Sequence, residues 1–392
     1  MIPPYTMKEV VTFVYGHPRT APVLLSLLGC FAVQKLIYTL WKKKSVRNKR
    51  SLRRAKAEKR RTIIEGRLAK VSPPSEEILN KSASELVEAL HSGDLSAVEV
   101  LYAYQRRALS LTKEINCITE FIPEAEAQAK RLDECPTKTG LLHGMPISLK
   151  ENIAVSGYDT TAGMEINIDK NATDDCVAVK VLKLHGAIPF ARTNIPQTML
   201  SYCCENPIYG ETLNPQDKTR CPGGSSGGEG AIIGGGGSMM GIGTDIGGSA
   251  RIPAEFCGIF SLKTTRGRIS SKNYYTPVRG NLAIQGSIGP LARNFDALLL
   301  LSQALMSPEM YELDRSLPPL LFDKQKYEKK GPLRIGFYTF DGTFECLPPV
   351  VRAVHEAKKA LELMGHEVVP FDFPKILGSG FKNADFFVRI MM

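Results

Sequence analysis

Residues 223–253 read GGSSGGEGAIIGGGGSMMGIGTDIGGSARIP, and thirteen of the first twenty-six are glycine. Glycine at this density costs conformational entropy, so it is expected where the backbone must pass close to another group. Apolar residues are interleaved with the glycines, at Ile232, Ile233, Met239, Met240, Ile242 and Ile246. A flexible linker would consist of Gly and Ser alone. The segment therefore predicts packed structure with close backbone approaches.

Three kinds of site use glycine-rich segments of this sort. A phosphate-binding loop needs a lysine after its last glycine, and this stretch contains none. The dinucleotide pattern G-x-G-x-x-G finds no complete register in it. Residues 223–227 do satisfy G-x-S-x-G, the nucleophile elbow of α/β-hydrolases. An esterase that uses Ser225 would also need a downstream acid and histidine, for which His355 and His366 are available, and it remains one hypothesis.

A second serine-bearing block, GTDIGGSARIP at residues 243–253, places Ser249 twenty-four residues beyond Ser225. Together with Ser148-Leu149-Lys150 upstream, the two blocks closely resemble the amidase-signature family. The short motifs NIPQ at residues 194–197 and NP at 214–215 are also similar to that family. The resemblance covers about residues 76–390.

The resemblance implies a catalytic triad of Lys150, Ser225 and Ser249. Ser249 takes the position of the nucleophile. Lys150 is the base, and for this role its pKa must be lowered by burial so that the amine is neutral. Ser225, which follows a cis peptide bond in this family, passes the proton between the two. The backbone N–H groups of Ile246, Gly247, Gly248 and Ser249 are expected to bind the developing oxyanion.

Supporting residues are implied with less direct roles. Ser226 is expected to be a hydrogen-bonding neighbour of the triad. Met199 resembles a position that lines the acyl channel for the substrate, although plain core packing is equally compatible with a methionine. Asp245 and Arg251 are expected to form a structural ion pair. The implied mechanism needs neither a metal ion nor a cofactor.

The charge distribution indicates a membrane partner and argues against nucleic acid. The net charge is +10, but residues 42–70 alone carry fourteen Lys or Arg and two acids, so the rest of the chain is nearly neutral. A nucleic-acid interface would spread basic residues over a folded face with aromatic residues between them. Residues 21–41 are almost entirely apolar and long enough to span a bilayer. They predict a single-pass anchor, with an interfacial helix or a signal peptide as alternatives.

The sequence is accordingly divided into four parts. Residues 1–20 form an N-terminal segment, 21–41 the transmembrane anchor, 42–75 a basic helical linker without an apolar face, and 76–392 the catalytic domain. Alternating strand and helix patterns, as at 145–149, 174–184 and 187–191, predict an α/β fold with a mixed, twisted sheet flanked by helices on both faces. The apolar residues 386–392 suggest a catalytic domain that is incomplete at its C-terminus.

Within the family, the apolar segment, the basic run and the motif spacing most resemble members that act on fatty acid amides. This implies hydrolysis of N-acylethanolamines and primary fatty amides to fatty acid and amine, with a lipid amide as the substrate. The positive-inside rule predicts that the catalytic domain faces the cytosol. The membrane is expected to be an intracellular one, that of the endoplasmic reticulum. A homodimer is an expected assembly. A chain that keeps the motifs but is not catalytic is the second alternative.

Overall fold

The computed structural model describes residues 21–277, 280, 284–340 and 345–371, without the side chains of residues 21–25, 27 and 28. The segment 1–20 and the apolar end at 386–392 lie outside the described residues. The chain divides into two compact units, residues 1–321 and 322–392.

The first unit is built around a six-stranded mixed sheet in the order β1-β3-β2-β6-β8-β7. Its strands are β1 Ile118–Phe121, β2 Pro146–Lys150, β3 Ile188–Thr193, β6 Met240–Asp245, β7 Phe260–Ser261 and β8 Ser287–Ala292. A separate pair consists of β4 Glu205–Asn206 and β5 Gly210–Glu211. β3, β2 and β6 run parallel, whereas β1, β8 and β7 pair antiparallel with their neighbours. The predicted α/β fold with a mixed sheet is confirmed.

Helices of the first unit connect these strands and pack on the sheet. They are α1 Ala21–Leu68, α2 Ala83–Ser92, α3 Ala97–Ile115, α4 Ala125–Asp133, α5 Val177–Leu184, α6 Gly227–Gly234, α7 Arg251–Cys257, α8 Phe295–Leu305 and α9 Pro308–Leu313. Short 3-10 turns lie at Glu76–Asn80, Glu165–Asn167 and Gln197–Met199.

Local sequence signals explain where several helices begin and end. Ser82 and Ser96 each accept a hydrogen bond from the backbone of the glutamate three residues later, and each glutamate side chain accepts one in return. These reciprocal bonds satisfy N–H groups that the first helical turn leaves unpaired. Gly93 ends α2 in the left-handed conformation that glycine adopts without strain.

Residues 21–68 form one continuous helix, so the predicted boundary between anchor and linker at residue 41 is not marked by a break. Among the side chains that the structure describes, no helix offers an apolar stretch long enough to cross a bilayer. The predicted transmembrane anchor at residues 21–41 is therefore not confirmed.

The basic half of α1, predicted as a helical linker without an apolar face, is helical and packs on the rest of the first unit. Arg53, Ile64 and Leu68 are all buried against the first unit. Arg53 and Arg60 both bind the buried carboxylate of Glu120 on β1. The charge run gave no sign of this, because the partner of these arginines lies about sixty residues away in sequence.

Three guanidinium groups meet at Glu120. Arg192 on β3 donates to the same carboxylate at 2.9 Å, and Arg53 also lies 3.3 Å from Asp159. Burial alone would raise the pKa of Glu120, but the three arginines hold it below its ordinary value. Removing one partner from such a buried cluster leaves a charge uncompensated, at a cost of about 3–5 kcal/mol. These ion pairs therefore fix α1 to the sheet.

The second unit contains a helix between two parallel strands. Its elements are α10 Lys324–Glu328, β9 Arg334–Phe337, α11 Pro348–Leu363 and β10 Glu367–Pro370. Gly365 has a φ of +87° just after α11. Glycine adopts this left-handed conformation without strain, so the helix ends just before Gly365.

Candidate active site

The parallel strands β3, β2 and β6 end at the same edge of the sheet, which is where sites form in open α/β sheets. β2 ends at Lys150, whose side chain is completely buried. The Lys150 amine lies 2.7 Å from Ser225 Oγ and 2.9 Å from Thr244 Oγ1, and it donates to the Thr244 carbonyl at 3.3 Å. Lys150 and Ser225, which are 75 residues apart in sequence, are thus in direct contact.

Burial controls the protonation of Lys150. Loss of hydration lowers the pKa of Lys150 to about 7, although the nearby Asp245 and Glu229 favour the charged form. The neutral amine, which can accept a proton, is therefore well populated near neutral pH. This agrees with the lowered pKa expected of a lysine base.

Ser225 lies in a tight turn between β5 and α6. The peptide bond between Gly224 and Ser225 is cis, as the family resemblance implies. A Cβ atom at residue 224 would lie only 2.5 Å from the Ser201 carbonyl oxygen, so a side chain cannot be placed there without moving the backbone. Gly223 has a φ of +80°, which glycine adopts readily.

Two glycines of β6 make room for groups that pack on the sheet. A Cβ at Gly241 would lie 2.2 Å from Glu229 Oε2, and a Cβ at Gly243 would lie 2.6 Å from Ser226 Oγ. These distances are far inside van der Waals contact. The close backbone approach predicted from the glycine density is confirmed.

The turn after β6 carries Ser249 and is organised by Asp245. The Asp245 carboxylate accepts hydrogen bonds from the backbone N–H groups of Gly248 at 2.8 Å and Ala250 at 3.0 Å, and from the guanidinium of Arg251 at 2.9 and 3.0 Å. Burial would raise the pKa of Asp245, but these donors lower it to about 2. Asp245 and Arg251 form the predicted ion pair, and the pair holds the turn.

A backbone hydrogen bond brings the two serine segments together. The Ser226 N–H donates to the Ser249 carbonyl at 2.9 Å. Ser249 is 7% exposed and is therefore almost enclosed. The Ser226 hydroxyl makes only a long contact of 3.4 Å with the Thr244 carbonyl. Ser226 is therefore joined to the Ser249 segment through its backbone, and its supporting role beside the predicted triad remains a prediction.

The four predicted oxyanion donors differ in their surroundings. The Gly248 N–H is directed at Asp245, so this geometry does not favour Gly248 as a donor to an oxyanion. Ile246 is half-buried and Gly247 is exposed, and the Tyr202 hydroxyl donates to the Gly247 carbonyl at 3.3 Å. Oxyanion binding by Ile246, Gly247 and Ser249 remains a prediction.

Met199 lies in the 3-10 turn Gln197–Met199 with a φ of +60°, an uncommon conformation for a residue with a side chain. Its side chain is half-buried. The proposed place of Met199 in an acyl channel also remains a prediction.

The histidines of the esterase hypothesis have partners within the second unit. His366 Nδ1 accepts a hydrogen bond from the Leu333 N–H at 3.2 Å, and the His355 ring lies 6.1 Å from the Phe337 ring. Ser225 itself is bound to Lys150. The contacts of Ser225 therefore favour the lysine-based arrangement.

Sequence reasoning missed two polar residues of the site. Thr244 accepts a hydrogen bond from the Lys150 amine, and Glu229 accepts one from Ser148 on β2, the strand that ends at Lys150. A carboxylate within the otherwise apolar and glycine-rich run GGEGAII was a signal that this acid would be buried. Nothing in the sequence indicated which side chains Glu229 would meet.

Comparisons with known proteins show which family the chain is similar to. The sequence profile of the family named Amidase matches residues 99–379. The chain is 41% identical over 376 residues to the vitamin D3 hydroxylase-associated protein of Gallus gallus, covering 95% of this chain and 79% of that one. It is 45% identical over 297 residues to fatty-acid amide hydrolase 1 of Sus scrofa, covering 76% and 51% of the two chains.

Solved structures show the same similarity. A fatty acid amide hydrolase superposes with a TM-score of 0.71 at 33% identity, covering 78% of this chain and 55% of the other. A 6-aminohexanoate cyclic dimer hydrolase superposes with a TM-score of 0.64 at 26% identity, covering 75% and 61%. The chain spans about half the length of the fatty acid amide hydrolases that it matches.

Proposed function

This chain belongs to the amidase-signature family of amide hydrolases, and we propose that it cleaves fatty acid amides to a free fatty acid and an amine. The observation that carries the proposal is that the buried Lys150 amine lies 2.7 Å from the Ser225 hydroxyl. The segment that contains Ser225 is in turn hydrogen-bonded to the Ser249 carbonyl through the backbone N–H of Ser226. A lysine base suits amides, because the proton it takes from the nucleophile can later be given to the poor leaving group. The similarity to proteins named fatty acid amide hydrolase supports the substrate class, N-acylethanolamines and primary fatty amides.

The proposed reaction has two halves. Ser249 Oγ attacks the amide carbonyl while its proton passes through the Ser225 hydroxyl to Lys150 Nζ. The oxyanion is bound by backbone N–H groups of the turn after Asp245. The lysine then returns the proton through Ser225 to the nitrogen of the substrate, and the amine departs. An acyl-enzyme on Ser249 remains. Water attacks this ester and its proton passes through Ser225 to Lys150. The lysine returns that proton to Ser249 Oγ as the acyl–oxygen bond breaks, and the fatty acid departs.

A direct test is the release of free fatty acid from an N-acylethanolamine, followed by mass spectrometry. Purified chain should release the acid faster from a long-chain ethanolamide than from acetamide, because a lipid-directed site binds the acyl chain. Faster turnover of acetamide would contradict the substrate class while leaving amide hydrolysis in place. Absence of turnover of any amide by folded protein would overturn the proposed function.

We also propose that residues 21–41 bind the chain to a membrane, with the catalytic unit on the cytosolic side of the endoplasmic reticulum. Apolar side chains of this segment are exposed, including Phe31 at 65% and Trp41 at 63%. Lys42, Lys43 and Lys44 follow directly and are exposed as well. Apolar residues next to a basic cluster favour insertion beside anionic lipid. A homodimer stays a prediction.

Membrane binding through residues 21–41 should resist high salt and carbonate, because burial of apolar residues does not depend on ionic strength. Deleting residues 1–41 should convert it to weak, salt-sensitive binding, since attraction of basic residues to lipid is screened beyond about 8–10 Å. Fractionation of membranes measures the change. A variant with Lys42, Lys43 and Lys44 replaced by glutamine is the matched control and should remain salt-resistant. Release of the intact chain by salt alone would contradict the proposal.

A further inference from the structure

Glu229 is a fully buried carboxyl group that the proposed reaction does not use. It is the third residue of α6 and lies four positions after Ser225, about one helical turn away. Its Oε2 atom accepts a hydrogen bond from Ser148 Oγ at 2.7 Å, and its Oε1 atom accepts one from Thr193 Oγ1 at 2.8 Å. A buried carboxyl with both oxygens bound indicates a fixed position.

The partners of Glu229 place it beneath Lys150. Ser148 precedes Lys150 by two residues in β2, so both side chains point to the same face of the sheet. Thr193 of β3 is aligned with Lys150 in the parallel register. Gly241 of β6 is aligned with Ser148, and a Cβ there would lie 2.2 Å from Glu229 Oε2. The carboxyl group therefore touches three adjacent strands, with the lysine strand in the middle.

We propose that Glu229 is a positioning residue that ties the turn bearing Ser225 to the strand bearing Lys150 and that its charge governs how readily Lys150 gives up its proton. The inference rests on the proposed function, since it concerns the base of that reaction. α6 begins directly after the Ser225–Ser226 turn, so a bond from α6 to Ser148 and Thr193 fixes the spacing between the serine hydroxyl and the amine.

The charged and titratable groups around Lys150 support the electrostatic part of this role. Asp245 is engaged by Arg251 and has a pKa of about 2, so its charge is constant. Burial raises the pKa of the Cys204 thiol to about 12, as it does for Cys117 beside Glu229, so both are neutral near pH 7. Burial raises the pKa of Glu229 itself to about 7, against the opposing effects of Ser148, Thr193 and Lys150.

Glu229 and Lys150 therefore both titrate over the same pH range. As the pH rises, ionised Glu229 stabilises the ammonium form of Lys150 and delays its deprotonation. Coupled groups of this kind titrate as a pair, in steps spread over a wider range than a single group. The acid limb of the activity profile should accordingly be broad.

The test is the pH dependence of kcat/KM for Glu229→Gln, which keeps the shape of the side chain and removes its charge. Without that anion the pKa of Lys150 falls, so the acid limb should move to lower pH by roughly half a unit to one unit and steepen to the slope of one proton. Glu151→Gln is the matched control. Glu151 is equally buried and adjacent in sequence, but its carboxylate accepts from Thr161 and the Ala162 N–H. The acid limb of the Glu151→Gln activity profile should have the same midpoint as that of the unmodified chain.

Two further measurements keep the inference testable. If Glu229→Gln does not fold, Ser148→Ala and Thr193→Val can replace it. Each removes one hydrogen-bond donor to Glu229 and so favours its neutral carboxyl form. Each should shift the acid limb of the activity profile to lower pH, by less than Glu229→Gln does. Unfolding experiments need no activity. The folded pKa of Glu229 is raised from 4.5, so its contribution to stability is present below that value and is lost as the pH rises to about 7.

The free energy of unfolding of the unmodified chain should therefore fall relative to that of Glu229→Gln between about pH 4.5 and 7. This result is expected even if the chain hydrolyses no amide, so failure of the proposed function is recognised separately. Folded Glu229→Gln with an unchanged acid limb would overturn the role for Lys150. A stability difference that does not vary with pH would overturn the titration of Glu229 in this range.

Discussion

Ser249→Ala is expected to lower kcat/KM for a fatty acid amide by at least about a thousandfold, because it removes the nucleophile of the proposed reaction. The change should leave the turn intact. The Ser249 carbonyl, which accepts the Ser226 N–H, is a backbone group, and Asp245 holds the neighbouring residues. Hydrolysis of an N-acylethanolamine and covalent labelling by a fluorophosphonate probe both measure the effect, and mass spectrometry should locate the probe on Ser249 before the substitution.

Ser226→Ala is the matched control for this experiment. It deletes a hydroxyl from the adjacent segment whose contact with the Thr244 carbonyl is long, and it retains the backbone bond to Ser249. The variant should keep the probe on Ser249 and lose far less activity. Labelling that persists in Ser249→Ala and disappears in Ser225→Ala would instead support an esterase that uses the elbow serine.

The residues that sequence predicted correctly are those whose signals are local. The strand at 145–149 and the helix at 174–184 were predicted from local patterns, and the structure has β2 and α5 there. The approach of Lys150 to Ser225 was expected because the family resemblance supplied the pairing, not because any local pattern did. Composition alone indicated close packing along residues 223–253 and left the groups that pack there unidentified.

The residues that sequence missed depend on contacts between distant segments. Arg53 and Arg60 belong to a charge run that, taken alone, is typical of a solvated helix, yet Glu120 draws both to the sheet. Glu229 is hidden in the same way, since its partners Ser148 and Thr193 lie 81 and 36 residues away. A single sequence carries no record of such pairings, so buried polar networks are where prediction from local patterns ends.

Lys150→Ala is expected to reduce amide hydrolysis by about a hundredfold to ten-thousandfold, which is the usual contribution of a positioned general acid–base. Ester hydrolysis of the same acyl chain should fall less. An alcohol leaves without much assistance, whereas an amine must receive the proton that Lys150 returns through Ser225. The measurement is kcat/KM for a matched amide and ester in both proteins.

The pH profile provides the second readout for Lys150. The pKa of Lys150 is lowered to about 7, so the amine is protonated and inactive below this pH and activity should rise as the pH passes through it. Lys150→Ala should lose this acid limb from its residual activity. Lys130→Ala is the control, since that exposed lysine pairs with Glu126 on α4 and its loss should leave the rates and the limb in place. Equal losses for amide and ester, with the limb retained, would mean that Lys150 only positions the serines, because a proton donor to the leaving group must affect the amide more.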